Sequence, residues 1–218
     1  CVRLLLEANA AVDQADDEGT TPLSAASWTG EIDCVRLMIA AGAAVNQADA
    51  DGFTPLLVAC QEGHLVIARL LLGAGAAVTQ ATEDGATPLY IACEKDHVGI
   101  ARLLLKASTA VNQAMDDGTT PLYVACFKGH LDVVQLLLGA GAAVDQADED
   151  GVTPLYVACQ ECLPETARLD LDARAARNPL PSCGFTPLYI ACQEGHLDVV
   201  QLLLGAGAAV DQADEDGV

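Results

Sequence analysis

Along the chain, apolar and polar positions recur with a fixed period of thirty-three residues. The clearest copy runs from Thr120 to Val152. Leu122, Ala125 and Cys126 fall at i, i+3 and i+4, the apolar stripe of a short helix. Thr120 followed by Pro121 reads as the start of that helix. The Thr hydroxyl can accept a first-turn N–H, and Pro fits where its missing N–H is not needed. Gly129 breaks the helix. A second helix is predicted from near His130, with Asp132 favourably placed in its first turn. Its apolar face is Val133, Val134, Leu137 and Leu138. Gly141 stands where a left-handed C-terminal cap is expected. From Val144 onward the polar run DQADEDG reads as an extended arm and a tight turn. The same stretch returns at Thr186–Val218 with three differences in thirty-three positions, Val124/Ile190, Phe127/Gln193 and Lys128/Glu194.

A Thr-Pro-Leu triplet begins at Thr21, Thr54, Thr87, Thr120, Thr153 and Thr186, always thirty-three residues apart. Six such units after a 20-residue lead account for all 218 residues. A helix pair of this size cannot bury its own apolar face, so stacking on its neighbours is expected to do so.

The segments TPLYVAC, GHLDVV, LLLGAGAAVD and DEDG resemble the ankyrin repeat, whose period is thirty-three and whose signature is T-P-L-H-x-A. The resemblance covers essentially the whole chain. It implies an all-α ankyrin-repeat solenoid of stacked helix-turn-helix units with short β-turn fingers. One departure is systematic: the family's His after the triplet is Ser24, Leu57, Tyr90, Tyr123, Tyr156 and Tyr189. The expected boundaries are a partial repeat over 1–17, repeats over 18–50, 51–83, 84–116 and 117–149, a degenerate repeat over 150–182, and a last repeat over 183–218. The chain opens at Cys1 inside a second helix and stops before the next expected Thr, so it is read as a fragment of a longer array. Apolar stacking surface is then expected at both ends.

The formal net charge is −21, and more than half of the 31 acidic residues lie in the turns between repeats. That argues against nucleic acid, which needs a basic footprint, and against anionic membrane surfaces. It permits a protein partner with a basic or neutral surface; the alternative is a solvated rim. No apolar run reaches the roughly 18 residues of a membrane span. Of nine cysteines, Cys60, Cys93, Cys126, Cys159 and Cys192 share one position on the buried side of the first helix. Ankyrin repeats usually carry Ala there, so Cys serves as a small core residue. Packed helices lie about 8–10 Å apart, whereas a disulfide needs Cα atoms closer than about 7 Å. These thiols are expected to stay reduced, which favours an intracellular setting, cytoplasmic or nuclear.

Two repeats depart from the pattern. In one, Asp96 and Ser108 replace the inter-helix and cap glycines, at a modest expected cost. The degenerate repeat reads ECLPETARLDLDARAARNPLPSCGF. Pro164 falls where a first helical turn tolerates it. Asp170 replaces the Leu of positions 137 and 203, Arg174 the cap Gly and Arg177 the core Val144. An unpaired buried carboxylate is costly or becomes neutral, and Arg174, four residues on, is its candidate partner. This repeat is expected to be a weak joint between 21–160 and the segment from 186 onward.

Nothing in the chain points to catalysis, a cofactor or a metal. His64, His97, His130 and His196 hold one repeated slot, which suits structure better than a catalytic base. GAGAAV at Gly139–Val144 lacks the third Gly and the preceding strand of a dinucleotide fingerprint. Setting Gly151 as the central Gly of a calcium loop puts Gln146 first and Val157 twelfth, the wrong ligands.

The eight aromatics all fall on a first helix or on the residue just before one. In ankyrin arrays that side forms the concave face and fingers, where partners bind. The candidate partner-binding residues are therefore Trp28, Phe53, Tyr90, Lys95, Tyr123, Phe127, Lys128, Tyr156, Phe185 and Tyr189. Aromatic anchors beside polar groups are the usual hot-spot chemistry. Trp28 and Phe127 are expected to face outward. The tyrosines have a second reading, as half-buried ladder residues in the family's His slot. The expected function is a non-catalytic protein–protein interaction scaffold. The alternatives are a targeting or regulatory domain of a larger enzyme or channel, and a mechanical spacer.

Overall fold

Every Thr-Pro-Leu triplet opens a helix. In the computed structural model, which describes residues 10–210, the hydroxyls of Thr21, Thr54, Thr87, Thr120, Thr153 and Thr186 each accept the N–H three residues on, at 3.1–3.3 Å. Pro occupies the first helical turn in each case. The first helices of the repeats are α1 (Pro22–Thr29), α3 (Pro55–Gln61), α5 (Pro88–Glu94), α7 (Pro121–Lys128), α9 (Pro154–Gln160) and α11 (Pro187–Gln193). Their partners are α2 (Ile32–Ala40), α4 (Leu65–Gly73), α6 (Val98–Lys106), α8 (Leu131–Gly139), α10 (Pro164–Asp172) and α12 (Leu197–Gly205). Among the described residues these helices are the regular structure, and there is no strand. The helix expected over the lead from Cys1 lies outside the described residues, as does the last acidic turn beyond Val210.

The chain forms two compact units, residues 1–110 and 111–218. In the first, α1, α3 and α5 pack in sequence, and so do α2, α4 and α6. In the second, α7, α9 and α11 form one row and α8, α10 and α12 the other. Between the rows lie fully buried Leu56, Ile67, Leu71, Leu89, Ile100 and Leu104 in the first unit, and Leu122, Leu137 and Leu155 in the second. Each such side chain contributes about 1.5–3 kcal/mol relative to exposure.

Polar ties run from repeat to repeat. Successive fingers are joined by backbone bonds, Ala50 N to Glu18 O at 3.0 Å and Glu83 N to Asp51 O at 3.2 Å in the first unit. Glu149 N to Asp117 O at 3.0 Å and Ser182 N to Asp150 O at 2.8 Å do the same in the second. The finger glycine is needed for this approach: a Cβ on Gly118 would lie 2.9 Å from Asp148 Cα, and φ there is +85°. A second tie is an Asn or Asp side chain in the arm. Asp13 and Asn46 accept the N–H of Ala44 and Ala77, and Asn112, Asp145 and Asn178 that of Ala143, Ala176 and Ala209, at 2.7–3.0 Å.

The degenerate repeat folds as a helix pair, with Pro164 opening α10. Its helices pack on those before and after it, and the boundary between compact units falls at 110/111 rather than here. Four non-glycine residues adopt left-handed φ: Asp96 (59°), Ser108 (62°), Cys162 (57°) and Arg174 (71°), each at a position where sister repeats carry Gly. Several sequence expectations need correction. Arg174 is exposed and forms no ion pair with Asp170; as the left-handed cap it follows the helix end that carries Asp170 inward. Val144 is half-buried rather than core, so Arg177 reaches solvent without breaking a core position. Cys192 is exposed, unlike its four buried sisters, because no described element packs over that side of α11.

Candidate partner-binding face

The three histidines His64, His97 and His196 explain their repeated slot. Each precedes a second helix, and its Nε2 meets a carbonyl near the end of the previous repeat's first helix: Trp28 O at 3.1 Å, Gln61 O at 3.2 Å and Gln160 O at 3.0 Å. These carbonyls are among those a helix end leaves without an internal partner. The rings lie so close to the inter-helix turn that a Cβ on Gly30 or Gly63 would come within 2.8 Å of them. The degenerate repeat carries Leu163 in this slot, packed against Gly129. The histidines are thus inter-repeat struts.

The first helices and fingers carry the predicted contact residues. Trp28, in the last turn of α1, is 62 % exposed, and Phe127, at the same register position of α7, is 38 % exposed. Lys128 Nζ lies 5.0 Å from the Phe127 ring centroid, a cation–π contact. Lys95 pairs with its neighbour Glu94 at 3.3 Å at the surface. Phe53, Tyr90 and Tyr123 are half-buried. Phe185 and Tyr189 stack with ring centroids 4.3 Å apart and planes 7° from parallel.

Tyr156 departs from the expectation. It is 4 % exposed, and its hydroxyl lies 3.6 Å from Cys183 Sγ in the following finger. Burial pushes its phenol above the usual range, with the Cys183 contact adding to the shift. The ring is tucked beneath the finger and offers no surface to a partner, which removes Tyr156 from the contact set.

In the first unit the aromatics border a cleft of about 450 Å³. Its wall includes Trp28 and Phe53, the carboxylates Asp16, Glu18 and Asp49, and Ser24. Asp16 Oδ1 accepts the N–H of Glu18 and Thr20, and Asp49 Oδ1 that of Asp51 and Phe53, at 2.8–3.1 Å. Each finger turn is thereby fixed by its own carboxylate. Ser24, 2 % exposed, has a side-chain oxygen without a hydrogen-bond partner. By contrast Ser27, on the same helix, donates to Leu23 O at 2.8 Å. The sequence marks Ser24 as an unusual occupant of its slot, and the unsatisfied hydroxyl emerges only from the fold.

Asp170 is the other residue whose surroundings the sequence left open. It is 0 % exposed, and Cys126 Sγ lies 3.4 Å from Oδ2 and 3.7 Å from Oδ1. Burial pushes its carboxyl up to about 7; the Cys126 contact pulls it down and the charge of Asp145 pushes it further up. Burial likewise raises the thiols of Cys60, Cys93 and Cys126, and that of Cys159 to about 12. Among the described residues, no group of three or more His, Cys, Asp or Glu side chains is placed to hold a metal ion. No helix among them is long and apolar enough to cross a membrane.

Comparison with known proteins agrees with this architecture. A family model described as ankyrin repeats (3 copies) matches residues 1–82, 73–148 and 140–214. The chain belongs to the ankyrin-repeat family, and its fold is an ankyrin-repeat solenoid. It is similar to the crystal structure of the human ASB11 ankyrin repeat domain, at 28 % identity and a TM-score of 0.82, over 91 % of this chain and 89 % of that one. No curated protein sequence matches it. Ankyrin repeats generally act as protein–protein interaction modules.

Proposed function

We propose that this array is a non-catalytic scaffold that holds a protein partner on its concave face, the side made by first helices and fingers. The observation that carries this reading is the exposure of Trp28 and Phe127, large aromatics at one register of two first helices. Covering the exposed part of such rings would add a fraction of the about 1.5–3 kcal/mol that full burial contributes, and rings of this kind anchor interfaces. Phe53, Tyr90, Lys95, Tyr123, Lys128, Phe185 and Tyr189 extend the contact set. A net charge of −21, concentrated in the fingers, favours basic or neutral partner surfaces and disfavours nucleic acid. Free buried thiols suit a reducing compartment, cytoplasmic or nuclear.

The test is affinity capture at low salt with the unaltered chain and with a Trp28→Ala/Phe127→Ala variant. Proteins retained by the former should be lost by the latter, with helix content by circular dichroism unchanged. Equal retention by both would remove the concave-face assignment.

A further inference from the structure

We propose that the cleft between the first two fingers of the first unit is a receptor for one arginine side chain of a basic partner segment, its guanidinium lying on Trp28 and between Asp16 and Asp49. This rests on the reading of the first-helix side as a protein-binding face, and names what one part of it recognises.

Three independent features converge. The first is charge. Three carboxylates, Asp16, Glu18 and Asp49, line the cleft, and no cationic side chain does. Asp16 and Asp49 each use Oδ1 to hold their own turn, so the carboxylate is fixed in place before any ligand arrives. Preorganised acceptors of this kind lose little entropy on binding. The second is the aromatic wall. Trp28 is 62 % exposed, and its indole is the ring type that stacks a cation best. The third is Ser24. Ser24 belongs to the cleft wall, and its buried side-chain oxygen lacks a partner in the protein. A buried polar atom left unpaired is costly, and a ligand N–H would satisfy it.

Among cationic groups, guanidinium fits these features best. It is planar, so it can lie flat on an indole while its edge donates N–H groups to carboxylates on either side. It has five donors, enough to serve the carboxylates and Ser24 together. Its aliphatic stem matches the apolar part of the wall, Ala25, Phe53 and Val58. An ammonium would place its charge at a point and stack less well. The sister position of Ser24 is Leu57, Tyr90, Tyr123, Tyr156 or Tyr189, and that of Trp28 is Gln61, Glu94, Phe127, Gln160 or Gln193. The combination of Ser and Trp therefore occurs once in the chain.

The chain has a single tryptophan, so its fluorescence reports on this cleft alone. The experiment titrates the intact protein with penta-arginine amide, penta-citrulline amide and penta-lysine amide at low salt. The arginine peptide should change Trp28 emission saturably, and the neutral citrulline isostere should not. Asp16→Asn/Asp49→Asn keeps the turn acceptors and should weaken arginine binding by at least about tenfold, the scale of a lost charge-assisted contact. Asp148→Asn/Asp150→Asn removes the same charge from another finger and should leave it within about twofold. Ser24→Ala should weaken it about threefold, the low end of a lost hydrogen bond. Equal weakening by the two Asn pairs would reduce the effect to diffuse attraction and overturn the site. Equal binding of the lysine peptide would overturn the guanidinium assignment. An unresponsive Trp28, with the capture experiment on Trp28→Ala/Phe127→Ala still positive, would remove this receptor and leave the scaffold reading in place.

Discussion

Cys126 Sγ lies 3.4 Å from Asp170 Oδ2, a thiol facing a carboxyl inside the packed rows of α7, α9 and α10. Sister repeats place Leu71, Leu104 and Leu137 where Asp170 stands, and all three are fully buried. The carboxyl has no cation to meet it, so it is protonated in the folded chain up to about pH 7.

The pH dependence follows from that elevated value. An unfolded aspartate ionises near 3.8, whereas the folded Asp170 holds its proton to about 7. Below about pH 4 both states are protonated, and the group does not oppose folding. Between about pH 4 and 7 the unfolded state alone ionises, so stability falls as pH rises, by about 4 kcal/mol in total. Above that range the penalty is complete. Asp170→Leu should therefore slow hydrogen exchange in 164–172 strongly at pH 8 and only slightly at pH 4.5, after correction for intrinsic rates. An Asp170→Leu effect that is constant with pH would contradict this account.

Left-handed residues offer a separate route to stability. Cys162 and Arg174 hold φ of 57° and 71° at positions that favour glycine. A side chain there costs about 1–2 kcal/mol in the folded chain, partly offset by the greater unfolded entropy of glycine. Cys162→Gly and Arg174→Gly should each raise stability by about 0.5–1 kcal/mol, read as a higher urea midpoint. Ser108→Gly should act likewise in the first unit, and Asp96→Gly should gain less, because aspartate tolerates the left-handed region.

Thiol chemistry should divide the described cysteines, half-buried Cys34 apart, into two groups. Cys162, Cys183 and Cys192 are exposed, and Cys60, Cys93, Cys126 and Cys159 are buried with raised thiols. A chromogenic disulfide reagent should titrate the first group in native buffer and the second only after denaturant is added. Mass mapping of the modified cysteines checks the assignment.

The histidine struts predict a loss that does not depend on charge. His97→Ala removes the partner of Gln61 O. The expected cost is about 1 kcal/mol, the net value of one hydrogen bond. His97→Gln, which can donate to the same carbonyl, should recover part of it in a thermal melt.

The sequence made the helix pairs legible because one short pattern, Thr-Pro-Leu with an apolar stripe, was repeated six times in register. The positions of strain were legible too: Asp96, Ser108 and Arg174 stand out against glycine in sister repeats. What the pattern could not convey was how an unusual side chain resolves its surroundings. Arg174 is an i+4 partner for Asp170 on paper, yet the left-handed cap turns the chain there and Cys126 meets the carboxyl instead. Tyr156 shares a slot with Tyr90 and Tyr123, but the altered finger around Cys183 covers it. The unsatisfied Ser24 depends on three-dimensional neighbours that no periodicity encodes.

The ties between neighbouring repeats have a kinetic consequence. The ties through side chains and fingers join residues 27 to 44 positions apart, close to one period. Loop-closure entropy grows only with the logarithm of the segment closed, and here that segment stays constant however many copies are added. Relative contact order should therefore fall as the array lengthens, in contrast to a globular domain, where growth brings ever more distant partners together. Tandem duplication could thus enlarge such a protein without imposing a slower search for its native pairings.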